Sequence, residues 1–452
     1  MKLKHKILLI GLFLILSTIV FAQSTLGETY NWCTDSNVWG DGRCESDDPN
    51  QEYCFWEMGY ILPRVLLGEL ELNFAHPCLP IIPSLETTIE ISFDSSTGCS
   101  YLIVAMESST FAGPVDLVVP DGEFDGNTVN LGKCDGLEIH GTEDDDIIYG
   151  SANDDIILGY AGDDKLYGDS YRQGGYGDDI IFGGDGDDDI FGDSRSGDGS
   201  GDDIIFGGNG DDEIFGDSRN GDGSGDDIIF AGEGDDTVYG DSRSGEGSGN
   251  DLILGEDGDD ALYGDSRNND GSGDDIILGG SGDDKIFGDS YNQEGSGNDA
   301  IDGGDGDDLI YGDTLHGEGT GSDIILGGDG EDKILGDSQN GNGSGNDFIL
   351  GGNDDDEIFG DSQNNDGSGD DVIDGGDGND QIYGDSQGGN GSGDDLILGG
   401  DGDDSIHGDS KNGNGSGDDN IDGGDGDDTN RGPGNSDDSV TNVESDSSTP
   451  DD

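Results

Sequence analysis

From about residue 166 onward the apolar positions of this chain are evenly spaced. Ile190, Ile205, Ile214, Ile229, Val238 and Ile253 are separated alternately by 15 and 9 residues, and the alternation runs unbroken from Leu166 to Ile421. One full period, residues 183–206, reads GGDGDDDIFGDSRSGDGSGDDIIF. It divides into a nine-residue unit, GGDGDDDIF, and a fifteen-residue unit, GDSRSGDGSGDDIIF, which is a nine with six residues inserted after its third position. Two uninterrupted nines, residues 141–149 and 150–158, lead into the array. Each unit ends in three residues with an aliphatic one in the middle. Side chains of a strand alternate between faces, so the pattern predicts a very short strand per unit. Ile190, Ile214, Val238, Leu262, Ile286 and Ile310 point inward from one side, and Ile205, Ile229, Ile253 and Ile277 from the other. A fixed period of this length marks stacked coils. At about 4.8 Å per coil, about twelve periods make a rod of roughly 55 Å with a core one side chain wide.

The residues flanking those aliphatics are expected on the outside. The ninth position of the short unit gives Phe191, Phe215, Tyr239, Tyr263, Phe287, Tyr311, Phe359 and Tyr383. The long-unit side gives Ile204 and Phe206, Ile228 and Phe230, Leu252 and Leu254, then Ile276 and Leu278. These predict outward apolar stripes along the rod. Such stripes serve either as ladders between neighbouring coils or as a docking surface, with lateral self-association through the long-unit face.

Composition sets a condition on this picture. The 452 residues hold 107 Asp and Glu against 16 Lys and Arg, a formal charge of −91, and only 29% are hydrophobic. Left in water, such a chain lacks the apolar surface to offset backbone ordering. Nucleic acid and anionic membranes are excluded as partners by charge. Either the acids remain solvated or a cation neutralises them.

The chain changes character near residue 136. Residues 1–22 read as a signal peptide: Lys2, Lys4 and Lys6 precede an apolar stretch from Ile7 to Val20, and Val20 and Ala22 suit a cleavage site. The stretch is shorter than the about 20 residues of a membrane span, so the reading is export, with no integral span after cleavage. Residues 23–135 carry all six cysteines, Cys33, Cys44, Cys54, Cys78, Cys99 and Cys134, and all three tryptophans. Behind a signal peptide this argues for three disulfides, in a connectivity that the sequence leaves open. The β-branched runs 87–93, 101–105 and 115–119 predict a small β-rich domain. Two roles stand open for it: capping the first sheet edge, or binding a surface or glycan.

The nine-residue unit matches G-G-x-G-x-D-x-U-x, with U a large aliphatic residue. The array of residues 136–429 therefore resembles the RTX, or haemolysin-type, calcium-binding nonapeptide repeats. The resemblance implies an all-β fold, a long parallel β-roll stabilised by Ca²⁺, with the sixth-position Asp as ligand and turn carbonyls completing the shell. On the short-unit side, counting the first lead-in nine, these are Asp146, Asp164, Asp188, Asp212, Asp236, Asp260, Asp284, Asp308, Asp332, Asp356, Asp380, Asp404 and Asp428. On the long-unit side, counting the second, they are Asp155, Asp179, Asp203, Asp227, Asp251, Asp275, Asp299, Asp323, Asp347, Asp371, Asp395 and Asp419. Stacking places these carboxylates in two columns about 5 Å apart per step, where like charges repel by several kcal/mol. Ca²⁺, taking six to eight oxygens in tolerant geometry, answers that repulsion better than Mg²⁺. Each long unit begins Gly-Asp, from Asp169 to Asp409, instead of Gly-Gly. That Asp either closes the inserted loop through the backbone, the favoured reading, or donates a further calcium oxygen.

No catalytic residues are assigned. Residues 384–388 match G-x-S-x-G, but Ser386 holds the place in its period that every other Gly-Asp-Ser does. The expected function is that of an exported calcium-binding protein, not an enzyme, with a structural, matrix or cell-surface role and folding on Ca²⁺ outside the cell. An adhesin whose cysteine-rich domain binds a surface or glycan is the alternative, and a secreted hydrolase the remote one. Residues 430–452, rich in Ser, Asp and Asn, are expected to form a disordered acidic tail.

Overall fold

The computed structural model describes residues 103–105, 115–118, 138–141, 143–169, 175–430, 439–443 and 445–446. The signal segment, all six cysteines and most of residues 23–135 lie outside the described residues. What is described is all-β: two parallel sheets of 15 strands each, wound as one solenoid. Successive coils align at the repeat of the sequence. In one sheet Ile228 lies beside Ile204 and Ile229 beside Ile205; in the other Glu213 lies beside Asp189 and Ile214 beside Ile190.

The inward aliphatics make a single file from each sheet. Ile190, Ile205, Ile214, Ile229, Val238 and Ile253 are fully buried in one continuous core. This is the core that the spacing predicts, and it is thin: a repeat strand contributes one inward aliphatic, with Ala231 added to Ile229 in its strand. The sheet on the short-unit side has three-residue strands, such as Glu213–Phe215. Strands of the other sheet are six residues, such as Ile204–Asn209, because pairing continues through the first three residues of the following unit. The turn's positive-φ positions fall within and just after them, for example Gly208 at 124° and Gly210 at 135°. Glu256 at 78° and Asp354 at 76° also take positive φ without being glycine, at a cost of about 1–2 kcal/mol each.

The outward stripe on the short-unit side needs correction. Phe191, Phe215, Tyr239, Phe287, Phe359 and Tyr383 are buried. Their rings stack coil on coil, Phe191 on Phe215 at 4.8 Å and Tyr263 on Phe287 at 5.0 Å between centroids. The inserted loop folds back over them. Its first residue covers the ladder: the Arg219 guanidinium lies 5.9 Å over the Phe215 ring, Arg267 5.9 Å over Tyr263, and Lys411 5.5 Å over Tyr383. This is a second, satellite core under a long loop. Phe287→Ala is expected to lower roll stability by about 3–5 kcal/mol, read as a rise in the calcium needed for half-maximal strand signal.

Both sheets begin before the repeat. Ile103–Ala105 pairs with Glu138–His140, and Val115–Val118 pairs with Asp146–Tyr149. Within residues 430–452 the described residues beyond Asn430 extend both sheets. Ser439–Thr441 pairs with Asn420–Asp425, and Ser445–Asp446 with Thr429–Asn430. An open sheet edge offers unpaired backbone groups to any extended segment, and Val440 packs against the end of the core. Polar composition did not outweigh that edge.

Candidate metal centre

The sixth-position aspartates stand immediately before the strands, and the stacking brings them into two columns, one along each edge of the roll. Asp164, Asp188, Asp212 and Asp236 represent the short-turn column, and Asp179, Asp203, Asp227 and Asp251 the long-turn column; all are buried. Each column is a directional ladder. The backbone N–H of Asp188 donates to Oδ1 of Asp212 at 2.8 Å, and that of Asp212 to Oδ1 of Asp236 at 2.7 Å. Along the other edge Asp179 N–H donates to Asp203 Oδ1 and Asp203 N–H to Asp227 Oδ1, both at 2.7 Å. Thus each carboxylate uses one oxygen to hold the preceding coil. The other oxygen, Oδ2 of Asp188, Asp203, Asp212 and Asp227, is buried and accepts no hydrogen bond.

Those oxygens share their surroundings with main-chain carbonyls. A Cβ built on Gly183 would collide with both Asp188 Oδ2 and the carbonyl oxygen of Gly207. One built on Gly192 would collide with both Asp203 Oδ2 and the carbonyl oxygen of Gly216. Carboxylate and carbonyl oxygens converging beside a residue without a side chain are the hard-oxygen donor set that Ca²⁺ prefers. A buried ionised carboxylate without a partner is otherwise costly, so the donor set fits the ion.

The charge state of the ion-free fold points the same way. Burial, then the charges of Asp188 and Asp236, push Asp212 up to about 8, although the N–H of Asp188 pulls the other way. Asp164 is pushed up to about 8 and Asp236 to about 7, chiefly by burial. In the long-turn column, burial and then the charges of Asp179 and Asp193 hold Asp203 well above the usual carboxylate range. A second-position aspartate therefore lies close to a sixth-position one.

The long turn is where sequence reading was incomplete. Ser218 Oγ accepts the N–H of Gly221 at 3.0 Å, and Ser242 Oγ that of Gly245 at 2.9 Å, which closes the first half of the inserted loop. Asp193 Oδ2 accepts the N–H groups of Ser200 at 2.7 Å and Gly201 at 3.2 Å, which closes the second half. The loop-closing role favoured from sequence is thus the one these hydrogen bonds display. It uses only one of the two carboxylate oxygens. The signal available in the sequence was the recurrence of Asp at that place in every long unit. Ser386 of the G-x-S-x-G pattern is fully buried and pairs with Ser362 in the serine ladder, as its place in the repeat requires.

A family model described as RTX calcium-binding nonapeptide repeat (4 copies) matches residues 140–170, 173–194, 198–220, 222–242, 247–270, 269–290, 295–317, 313–342, 343–366, 365–388 and 390–412. Together these segments span more than half of the chain. No curated protein matches it.

Proposed function

This chain belongs to the family of RTX calcium-binding nonapeptide repeat proteins and binds Ca²⁺ in a parallel β-roll, and we propose that the sixth-position aspartates of both edges are its ligands. The observation that carries the reading is the unpartnered Oδ2 of the buried carboxylates Asp188, Asp203, Asp212 and Asp227, each set beside a turn carbonyl of the next coil. Asp188, Asp212 and Asp236 serve the short-turn edge and Asp203, Asp227 and Asp251 the long-turn edge, with the other members of each column, from Asp146 to Asp428, in the same role. Calcium bound between coils replaces carboxylate repulsion with attraction, so that folding and binding are one event.

We further propose that the chain is exported and acts outside the cell as a calcium-stiffened structural element in a matrix or at a surface. The signal-like residues 1–22 and the millimolar calcium met outside cells support this reading, since weak extracellular sites operate at about 10⁻⁴–10⁻³ M. Among the described residues no helix is long and apolar enough to cross a membrane. The test is equilibrium dialysis of the intact chain against Ca²⁺ with Mg²⁺ in excess. Saturation at on the order of one ion per turn is expected, with Mg²⁺ a poor competitor. Saturation at only two or three ions, or equal binding of Mg²⁺, overturns the assignment.

A further inference from the structure

The second-position aspartates of the long turns remain half used. Asp193 and Asp217 belong to successive coils, and Asp203 lies between them in sequence. Carboxylate oxygens of these three residues come within 4.8 Å of one another. The same meeting recurs at Asp217, Asp227 and Asp241, and onward along this edge to Asp313. Asp193 and Asp217 turn Oδ2 toward the loop, accepting the N–H groups of Gly201 at 3.2 Å and Gly225 at 3.0 Å. Asp203 turns Oδ1 toward Asp179 N–H. One oxygen from each remains, Asp193 Oδ1, Asp203 Oδ2 and Asp217 Oδ1. All three are buried and accept no hydrogen bond, and all three residues are at 0% exposure. None of the ion pairs among the described residues involves these acids.

We propose that the second-position aspartates make the long-turn edge a distinct class of divalent-cation site, with three carboxylates per ion and each second-position Asp shared between consecutive ions. The reading rests on Asp203 and its repeats facing calcium, and adds ligands that the nine-residue motif does not contain. Charge fits the assignment. Each coil brings one second-position and one sixth-position carboxylate to this edge, two negative charges, so one divalent ion per coil leaves the column neutral. The short-turn edge lacks the second-position residue, since Gly stands there in most units, and relies on one buried carboxylate per coil with main-chain oxygens. The donors are all oxygen, spaced as the shell of a hard cation of six or more ligands at about 2.3–2.6 Å requires, and Zn²⁺ would prefer nitrogen or sulfur. Because the same carboxylate holds the loop with Oδ2 and the ion with Oδ1, the inserted loop is ordered by the ion. The two edges therefore differ in the charge that each offers its ion.

The test uses the intact chain with Asp217→Asn, Asp241→Asn and Asp265→Asn together. An Asn side chain keeps a carbonyl oxygen for the loop N–H groups and removes the charge. These three residues belong to four of the clusters, from the one opened by Asp193 to the one closed by Asp289. Calcium bound at saturation, measured by equilibrium dialysis, is expected to fall by about four ions, or the same number of sites to weaken at least tenfold. A parallel variant, Asp212→Asn with Asp236→Asn and Asp260→Asn, removes short-edge ligands instead. If the long-turn variant binds as much calcium as tightly as the unsubstituted chain while the short-edge variant loses ions, the second-position site is wrong and the sixth-position assignment stands. If neither variant loses ions, both readings fall. Should the triple variant not fold, Asp241→Asn alone touches two clusters in an array whose coils contact only their neighbours. It is expected to lose or weaken about two ions, and an unchanged titration overturns the proposal equally.

Discussion

Excess chelator at about pH 7.5 is expected to abolish the β signal of the intact chain in circular dichroism, and calcium to restore it in a steep, cooperative transition. The comparison that decides this is local to one coil. A coil such as residues 193–216 adds two core aliphatics, Ile205 and Ile214, and one ring, Phe215. Burial of each stabilises by about 1.5–3 kcal/mol. The same coil adds three buried carboxylates, Asp193, Asp203 and Asp212. Each meets a like charge one coil away, and at about 5 Å and an effective dielectric near 20 the repulsion is about 3 kcal/mol per pair. Desolvation adds several kcal/mol per ion. Nothing in the thin core offsets those costs. Calcium reverses the sign of the electrostatic contribution, and an ion present at 100 times its Kd stabilises by about 2.7 kcal/mol per site. Since each coil rests on its neighbours, the sites fill together. A roll that keeps its strand signal in excess chelator at neutral pH would overturn this account.

The inward aliphatics and the two columns of aspartates were legible in the sequence because the repeat leaves little freedom. When residues 24 apart are equivalent, whatever lies at Ile205 must lie beside Ile229, and the same argument aligns Asp188 with Asp212. Features set by how a segment folds onto its own coil were not legible. The length of the six-residue insert does not reveal that Arg219 or Tyr291 will lie over the rings of Phe215 and Phe287, so the rings looked outward when they are inside. Which oxygen of Asp193 faces the loop and which faces Asp203 depends on one side-chain rotation. Sequence could therefore present loop closure and ligation as alternatives, while the geometry leaves an oxygen for each. The pairing of residues 439–441 was not legible either, because composition describes a segment in water, whereas these residues meet the open edge of a sheet.

Acid should do part of the work of calcium. In the presence of chelator, lowering the pH from about 8 to about 5 is expected to restore strand signal. The sign follows from the direction of the shifts. In the folded, ion-free roll burial pushes Asp164 and Asp212 up to about 8 and Asp188 and Asp236 up to about 7. Asp203 and Asp227 are held well above the usual range for the same reason. In the unfolded chain the same groups ionise near their ordinary value of about 3.9. Their contribution is therefore fully present below about pH 4 and is lost as the pH rises through the folded values of about 7 to 8. A protonated carboxyl carries no charge to repel its neighbour one coil away, and its O–H is a donor for an oxygen that otherwise has none. Protons and calcium then compete for the same folded state. With calcium present, the concentration needed for half-maximal folding should rise by roughly tenfold or more between about pH 7.5 and about pH 5.5, because ligands must give up their protons. Circular dichroism across a grid of pH and free calcium distinguishes the cases. A chain that stays unfolded in chelator at every pH would show that the buried carboxylates need the ion's coordination and not merely the loss of their charge.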